Sequence, residues 1–344
     1  MVNQRPYTAA LVIPTGIGAA VGGYAGDALP VVRALAEVVD CLITHPNVLN
    51  GAMLYWPSER VWYVEGYALD QFAAGVWGLQ PVHDQRIGVV LDSGIEPDLQ
   101  LRHQQVMQAA QATLGLPIAG WVQTDTPLGV TLQKATSGAT WGTIAQPDSL
   151  LRAVGTLKER YRVTAVAVVA RFPEVEAAQL QDYRQGRGVD PLAGAEAIIS
   201  HLVVRTFQLP CAHAPAVRPL PLDPTVDPRA AAEELGYTFL PSVLVGLSRA
   251  PSYVTQRTAG SLWTDAVDAV VVPATACGGA AVLHWAAQGK RVIAVSENVS
   301  RMAVSPEALD IPAIQVASYL EAIGVVAAHK AGVDWRWCGR RYAP

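Results

Sequence analysis

Charge is scarce in this chain. Only 16% of its 344 residues are Asp, Glu, Lys or Arg, and 25 basic against 29 acidic side chains leave a net charge of −4. Such a balance lacks the basic field that nucleic acid or an anionic membrane surface requires, so neither partner is expected. Cysteine is sparse too. Cys41, Cys211, Cys277 and Cys338 stand far apart with no C-x-x-C pair, which argues against a disulfide framework or zinc knuckle and for reduced thiols in a cytoplasmic protein. No H-x-x-x-H spacing marks a metal site. No run of about 18 apolar residues exists, so no membrane-spanning helix is predicted. Pro14 and the glycines around it also make the N-terminal stretch a poor signal peptide.

What is abundant is apolar: 51% of the residues are hydrophobic, enough for one large domain or two ordinary ones with an ample core. Short buried-strand runs alternate with helical segments: Ala10–Pro14, Cys41–Thr44, Ile87–Asp92, Gly120–Gln123, Thr164–Arg171, Leu202–Phe207, Ala269–Pro273, Arg291–Ser296 and Ile314–Ala317. This pattern predicts an α/β fold with a mainly parallel sheet built from βαβ units. Helices are predicted from Asp98 to Leu114, over Arg229–Leu235 after Asp227-Pro228, and from the capping box Ser318-Tyr319-Leu320-Glu321 onward. His103 falls on the apolar stripe of the first and reads as a core histidine. Six prolines between Pro210 and Pro228 predict an irregular connection. The expected organisation is two lobes around one cleft, residues 1–185 and 186–344, or one continuous domain.

The candidate chemistry lies just past strands. The run Leu11-Val12-Ile13-Pro14-Thr15-Gly16-Ile17-Gly18, followed by Gly22, Gly23 and Gly26, offers a loop whose N–H groups could hold an anion, with Asp27 capping the next helix. It is one residue longer than the dinucleotide fingerprint, and His45 stands where an acidic ribose ligand is wanted, so no cofactor is assigned. His45, Asn47 and Asn50 follow the second strand. Asp92 and Glu96 follow the third, and Asp98 caps the helix after it. Asp92 has no evident structural role, which makes it the preferred carboxylate for general-base or metal work; Asp92→Asn is expected to leave folding intact while removing any ligand response. The unit Val267–Asn298 reads strand, turn, helix, strand. Its turn carries Cys277, Gly278 and Gly279 at a helix start, where a thiolate is favoured, and Glu297 and Asn298 lie beyond the next strand. His213 in the proline-rich stretch and Arg249, able to clamp a carboxylate, complete the set.

Several of these stretches occur together: Pro14-Thr15-Gly16-Ile17-Gly18, Thr44-His45-Pro46-Asn47-Val48-Leu49-Asn50-Gly51-Ala52, Leu91-Asp92-Ser93-Gly94-Ile95-Glu96-Pro97-Asp98 with Arg102-His103, Gly188-Val189-Asp190-Pro191, Ala212-His213-Ala214-Pro215, Val226-Asp227-Pro228 through Gly236, Ala276-Cys277-Gly278-Gly279 and Glu297-Asn298. In this the chain resembles a domain-of-unknown-function family common in cyanobacteria, with relatives in other photosynthetic lineages and some other bacteria. The similarity runs nearly the full length. It implies one conserved unit but no activity, and no catalytic residue carries over.

The residues alone support an enzyme acting on a small phosphorylated or carboxylated metabolite. Asp92, Glu297, His45 or Cys277 would do the chemistry, with Thr15, Gly16, Gly18, Asn47, Asn50, Glu96, His213, Arg249, Gly278, Gly279 and Asn298 around the ligand. The alternatives are a non-catalytic nucleotide- or metabolite-binding regulator or assembly factor, and a structural interaction protein. A homo-oligomer is compatible with each.

Overall fold

The computed structural model describes residues 5–45, 58–175, 177–234 and 239–338. In chain order its strands are β1 (Thr8–Leu11), β2 (Cys41–Thr44), β3 (Val61–Tyr63), β4 (Gly78–Gln80), β5 (Ile87–Leu91), β6 (Ile118–Gln123) and β7 (Val130–Lys134). Then follow β8 (Thr140–Ile144), β9 (Ala165–Arg171), β10 (Cys211–Ala216), β11 (Ser252–Val254), β12 (Val267–Pro273), β13 (Arg291–Val295) and β14 (Ala313–Val316). Six strands form one sheet in the order β14-β13-β12-β1-β2-β3, and four form a second in the order β10-β9-β5-β6. Every pairing within both is parallel. The α/β fold expected from the sequence is the one adopted, with its parallel strands divided between two sheets.

β9 shows why these segments become strands. Ala165, Ala167 and Val169 enter one core, and Val166, Val168 and Ala170 enter the other. A strand buried on both faces has no polar side to alternate with, hence the unbroken apolar run. Each core takes residues from both sheets: Leu11 and Leu91 in one, Ala10 and Val90 in the other. The two sheets therefore share one middle layer. Helices Leu29–Val38, Pro97–Leu114, Leu240–Ser248 and Tyr319–Lys330 cover one side. Helices Gly66–Ala73, Pro147–Tyr161, Ala193–Phe207 and Ala280–Ala287 cover the other. Each fully buried Val, Leu or Ile contributes about 1.5–3 kcal/mol, so these two core layers dominate stability. No helix among the described residues is long and apolar enough to cross a membrane.

Some local expectations change. Leu202–Phe207 is the end of a fifteen-residue helix, Ala193–Phe207, that buries Ala195, Ile199 and Val203 on one stripe. A short apolar run cannot by periodicity alone be told from a buried helix segment. The proline-rich stretch contains β10, which tolerates Pro215 because it is an edge strand bonded only to β9. Asp98 does not cap its helix; its carboxylate pairs with Arg218 at 3.0 Å. Asp27 leaves the next helix uncapped and accepts the Gly22 N–H instead. At Ser318 the hydroxyl does accept the Glu321 N–H, and Glu321 accepts the N–H of Ala317. Each sheet draws strands from both sides of residue 185, and β9 and β10 pair across it over six residues.

The topology decides where loops meet. From the adjacent pair β1 and β12 the chain winds outward in opposite directions, β1 to β2 and β12 to β13. In open parallel sheets such a switch point opens a crevice beyond the strand carboxyl ends.

Candidate functional site

The glycine loop after β1 and the turn after β12 both occupy this switch point. Thr15 is half-buried at the start of the loop. Gly16 and Gly18 adopt left-handed backbone (φ +71° and +61°), and a Cβ on Gly18 would lie 2.7 Å from the Val189 side chain. Glycine here lets the loop press against the 188–194 segment and β8. Three N–H groups further along the loop are taken. Val21 donates to Asn298 Oδ1 at 3.0 Å, Gly22 to Asp27 Oδ1 at 2.5 Å, and Ala25 to the Glu233 carboxylate. At the second turn, the Ala281 N–H of helix Ala280–Ala287 donates to Asp70 at 2.9 Å. Both turns attract carboxylates, as such N–H clusters should. The carboxylates are the chain's own.

The other residues proposed for this edge are also engaged. His45 is buried, and its Nε2 accepts the Ile13 N–H at 3.0 Å. Burial holds its pKa down at about 4, so the ring is neutral and keeps that lone pair available. Cys277 is fully buried, and burial pushes its thiol up to about 11, overriding the helix-terminus effect that would make it reactive. Gly278 packs on Val304, and Gly279 begins the helix. Exposed Glu297 accepts the Tyr319 N–H at 2.7 Å. Buried Asn298 donates to the Val21 carbonyl at 2.9 Å, tying the two loops together. Asn47 and Asn50 lie outside the described residues.

At the second sheet the picture is similar. Asp92 is buried and does have a structural role. It accepts N–H groups from Gly94 at 2.9 Å, Leu128 at 3.0 Å and Arg171 at 3.0 Å, tying three chain segments together. Glu96 forms a two-point ion pair with Arg171 at 2.8 and 3.0 Å. Arg249 is exposed, 3.5 Å from Glu59, and does not line the cavity described next. His103 is a core histidine as expected, bonded to the Leu99 carbonyl. His213, 4% exposed, stands 3.6 Å from Glu196, which lines a hollow.

That hollow is a cavity of about 150 Å³ where the carboxyl ends of the two sheets face each other. The glycine loop supplies Gly22–Ala25, the segment after β9 supplies Pro173–Val175, and the end of β10 supplies Pro215 and Val217. Leu180, Leu220 and Phe239 make apolar wall, and five lining residues are acidic: Glu174, Asp190, Glu196, Glu233 and Glu234. The two lining arginines are engaged, Arg184 with Glu234 at 2.8 Å and Arg218 with Asp98 at 3.0 Å. Among the described residues no arginine or lysine pairs with Asp190, Glu196 or Glu233. Burial, reinforced by the Glu196 charge, pushes Asp190 up to about 7. Burial and the neighbouring Asp190 raise Glu233 well above the usual carboxylate range. Tyr183 donates its hydroxyl to Glu233 at 2.9 Å and stacks on Tyr24 at 4.4 Å between centroids. Behind Glu196 stands His213, with Nε2 at 3.6 Å from Oε2 and Nδ1 at 3.2 Å from the Ser200 hydroxyl. That Nε2 is buried with no hydrogen-bond partner.

Asp190, Glu196, Glu233 and Tyr183 were not singled out as ligands from sequence. Two of them lie in quoted motifs, Asp190 in Gly188–Pro191 and Glu233 in Val226–Gly236. Glu196 had its own signal, a carboxylate among the buried positions of an apolar helix. Among the described residues no three His, Cys, Asp or Glu side chains converge so as to hold a metal ion.

Fold and site together define a three-layer α/β/α protein with an acidic cavity where two parallel sheets converge. The chain belongs to the family described as "Protein of unknown function (DUF3326)", which matches residues 8–338. It is similar to an uncharacterized lipoprotein of Synechococcus sp. (strain ATCC 27144 / PCC 6301 / SAUG 1402/1), 62% identical over 333 residues, or 96% of this chain and 92% of that protein. No solved structure matches the chain.

Proposed function

We propose that this protein is an enzyme acting on a small organic molecule by general acid–base catalysis in the Asp190–Glu196–Glu233 cavity. One observation carries the reading: two carboxyls that burial raises above the usual carboxylate range line a cavity with Glu196, which has an imidazole behind it. Environments that set neighbouring titratable groups to different roles are how one site supplies both acid and base. Glu233, protonated and oriented by the Tyr183 hydroxyl, serves as the acid. Glu196 serves as the base, with the His213 imidazole 3.6 Å behind it. A phosphorylated or carboxylated guest, the expectation from the glycine loop, would bring negative charge to an acidic lining whose two arginines are already paired, whereas a neutral or cationic one would not.

The test is a thermal-shift screen of amines, polyols, organic acids and sugar phosphates, followed by turnover of each hit. A ligand at about 100 times its dissociation constant stabilises by about 2.7 kcal/mol. Glu196→Gln should lower turnover of such a hit by about 10²–10⁴-fold. A hit that binds in the cavity and emerges chemically unchanged would make the protein a metabolite-binding regulator instead.

A further inference from the structure

We propose that the occupant of this cavity is a compact organic amine, its ammonium among Asp190, Glu196 and Glu233 and its hydrocarbon part against Leu180, Leu220 and Phe239. The proposal deepens the reading of the cavity as the functional site and rests on it. Asp190, Glu196 and Glu233 all line the cavity and both lining arginines are committed elsewhere, so a positive charge is what would let these carboxyls ionise together. A second observation points the same way. His213 is 4% exposed, its Nε2 lacks a hydrogen-bond partner, and that atom faces Glu196 at 3.6 Å, beyond hydrogen-bond reach. Asp190 accepts the Leu192 N–H, and Glu233 accepts the Ala25 N–H and the Tyr183 hydroxyl, so Glu196 is the one of the three with no hydrogen-bond donor among the described residues, while Leu180, Leu220 and Phe239 add apolar wall. An alkylammonium supplies three donors, one charge and a hydrophobic tail, matching the acidic and the apolar lining. Size limits the guest. A cavity of about 150 Å³ takes a molecule the size of benzene, about six non-hydrogen atoms.

Three probes of six non-hydrogen atoms separate the possibilities: pentylammonium, 1-pentanol and butanoate. Calorimetric titration of the full chain at pH 7.5 should show pentylammonium binding about tenfold or more tighter than 1-pentanol, as expected where charge is paired away from water, and no binding of butanoate. Glu196→Gln and Glu233→Gln, each checked for native circular dichroism, should weaken pentylammonium about tenfold while leaving 1-pentanol unchanged. If 1-pentanol or butanoate binds as tightly as the amine and responds to either variant, the cavity remains the site and the amine proposal is overturned. Amine binding that ignores both variants places it elsewhere and overturns the proposal. Silence from all three probes at millimolar concentration would remove the cavity reading as well.

Discussion

Replacing Glu65 by glutamine should make this protein more stable, and by an amount set by pH. Glu65 lies between β3 and the helix Gly66–Ala73, 3% exposed, where its Oε2 accepts the N–H of Tyr67 at 2.8 Å and of Ala68 at 3.4 Å. Burial outweighs those two donors and pushes the carboxyl from 4.5 up to about 8. Below pH 4.5 the folded and unfolded chains both hold the proton, and the group is neutral to stability. Between 4.5 and 8 only the folded chain holds it, so stability falls as pH rises, by about 1.4 kcal/mol per pH unit. At pH 7 the accumulated cost is about 3 kcal/mol, and above pH 8 it levels off. Glutamine keeps an acceptor oxygen for the helix N-terminus and has no proton to lose. Urea unfolding at pH 5, 7 and 9 should therefore show Glu65→Gln within about 1 kcal/mol of the parent at pH 5 and about 3 kcal/mol above it at pH 7. A variant less stable than the parent by the same margin at all three pH values would refute the argument. It would mean that the folded protein carries Glu65 as a carboxylate and that the helix needs its charge.

His45 imposes the opposite slope: its pKa is held at about 4 in the folded chain against 6.5 when unfolded, so stability is lost as pH falls from 6.5 to 4, by about 3 kcal/mol in all. His45→Gln should flatten that acid limb in a pH series of unfolding curves, and an unchanged limb would exclude His45 as its source. Asp92→Asn turns one of three accepted N–H contacts into a donor facing a donor, and should lower stability by about 3 kcal/mol in urea unfolding; a loss under about 1 kcal/mol would return Asp92 to the ligand set. Iodoacetamide at pH 8 should modify one thiol per folded chain, because Cys338 is exposed while Cys41, Cys211 and Cys277 are buried. Modification of Cys277 would revive its nucleophilic role.

The sequence made the parallel α/β fold readable wherever burial is two-sided, as in β9, β12 and β13, because such strands are written as continuous apolar runs. It failed where non-local structure overruled a local rule. Pro215 is harmless in β10 only because that strand is an edge, a fact no residue nearby encodes. Asp92 looked idle because two of its partners, Leu128 and Arg171, lie 36 and 79 residues away. In the glycine loop the carboxylates that the Gly22 and Ala25 N–H groups hold are the chain's own, Asp27 five residues on and Glu233 208 residues beyond the amide it accepts from.

Ion pairing around the cavity is selective, and that selectivity is the strongest reason to look for a guest there. Glu96, Glu234, Asp98 and Asp227 each have an arginine within about 3 Å, so the chain had basic groups to place in this region. None of them reaches Asp190 or Glu233, although burial raises both carboxyls, with the Glu196 charge adding to Asp190 and the Asp190 charge adding to Glu233. A purely structural packing of this volume would be more stable with apolar side chains than with three carboxyls in a hollow. Groups kept at such a cost are commonest at functional sites, where the missing partner arrives from outside. If that is the logic here, a buried cation engineered beside the cluster, as in Leu192→Lys, should raise stability while abolishing any amine response. Stability and ligand binding would then be competing uses of the same charges.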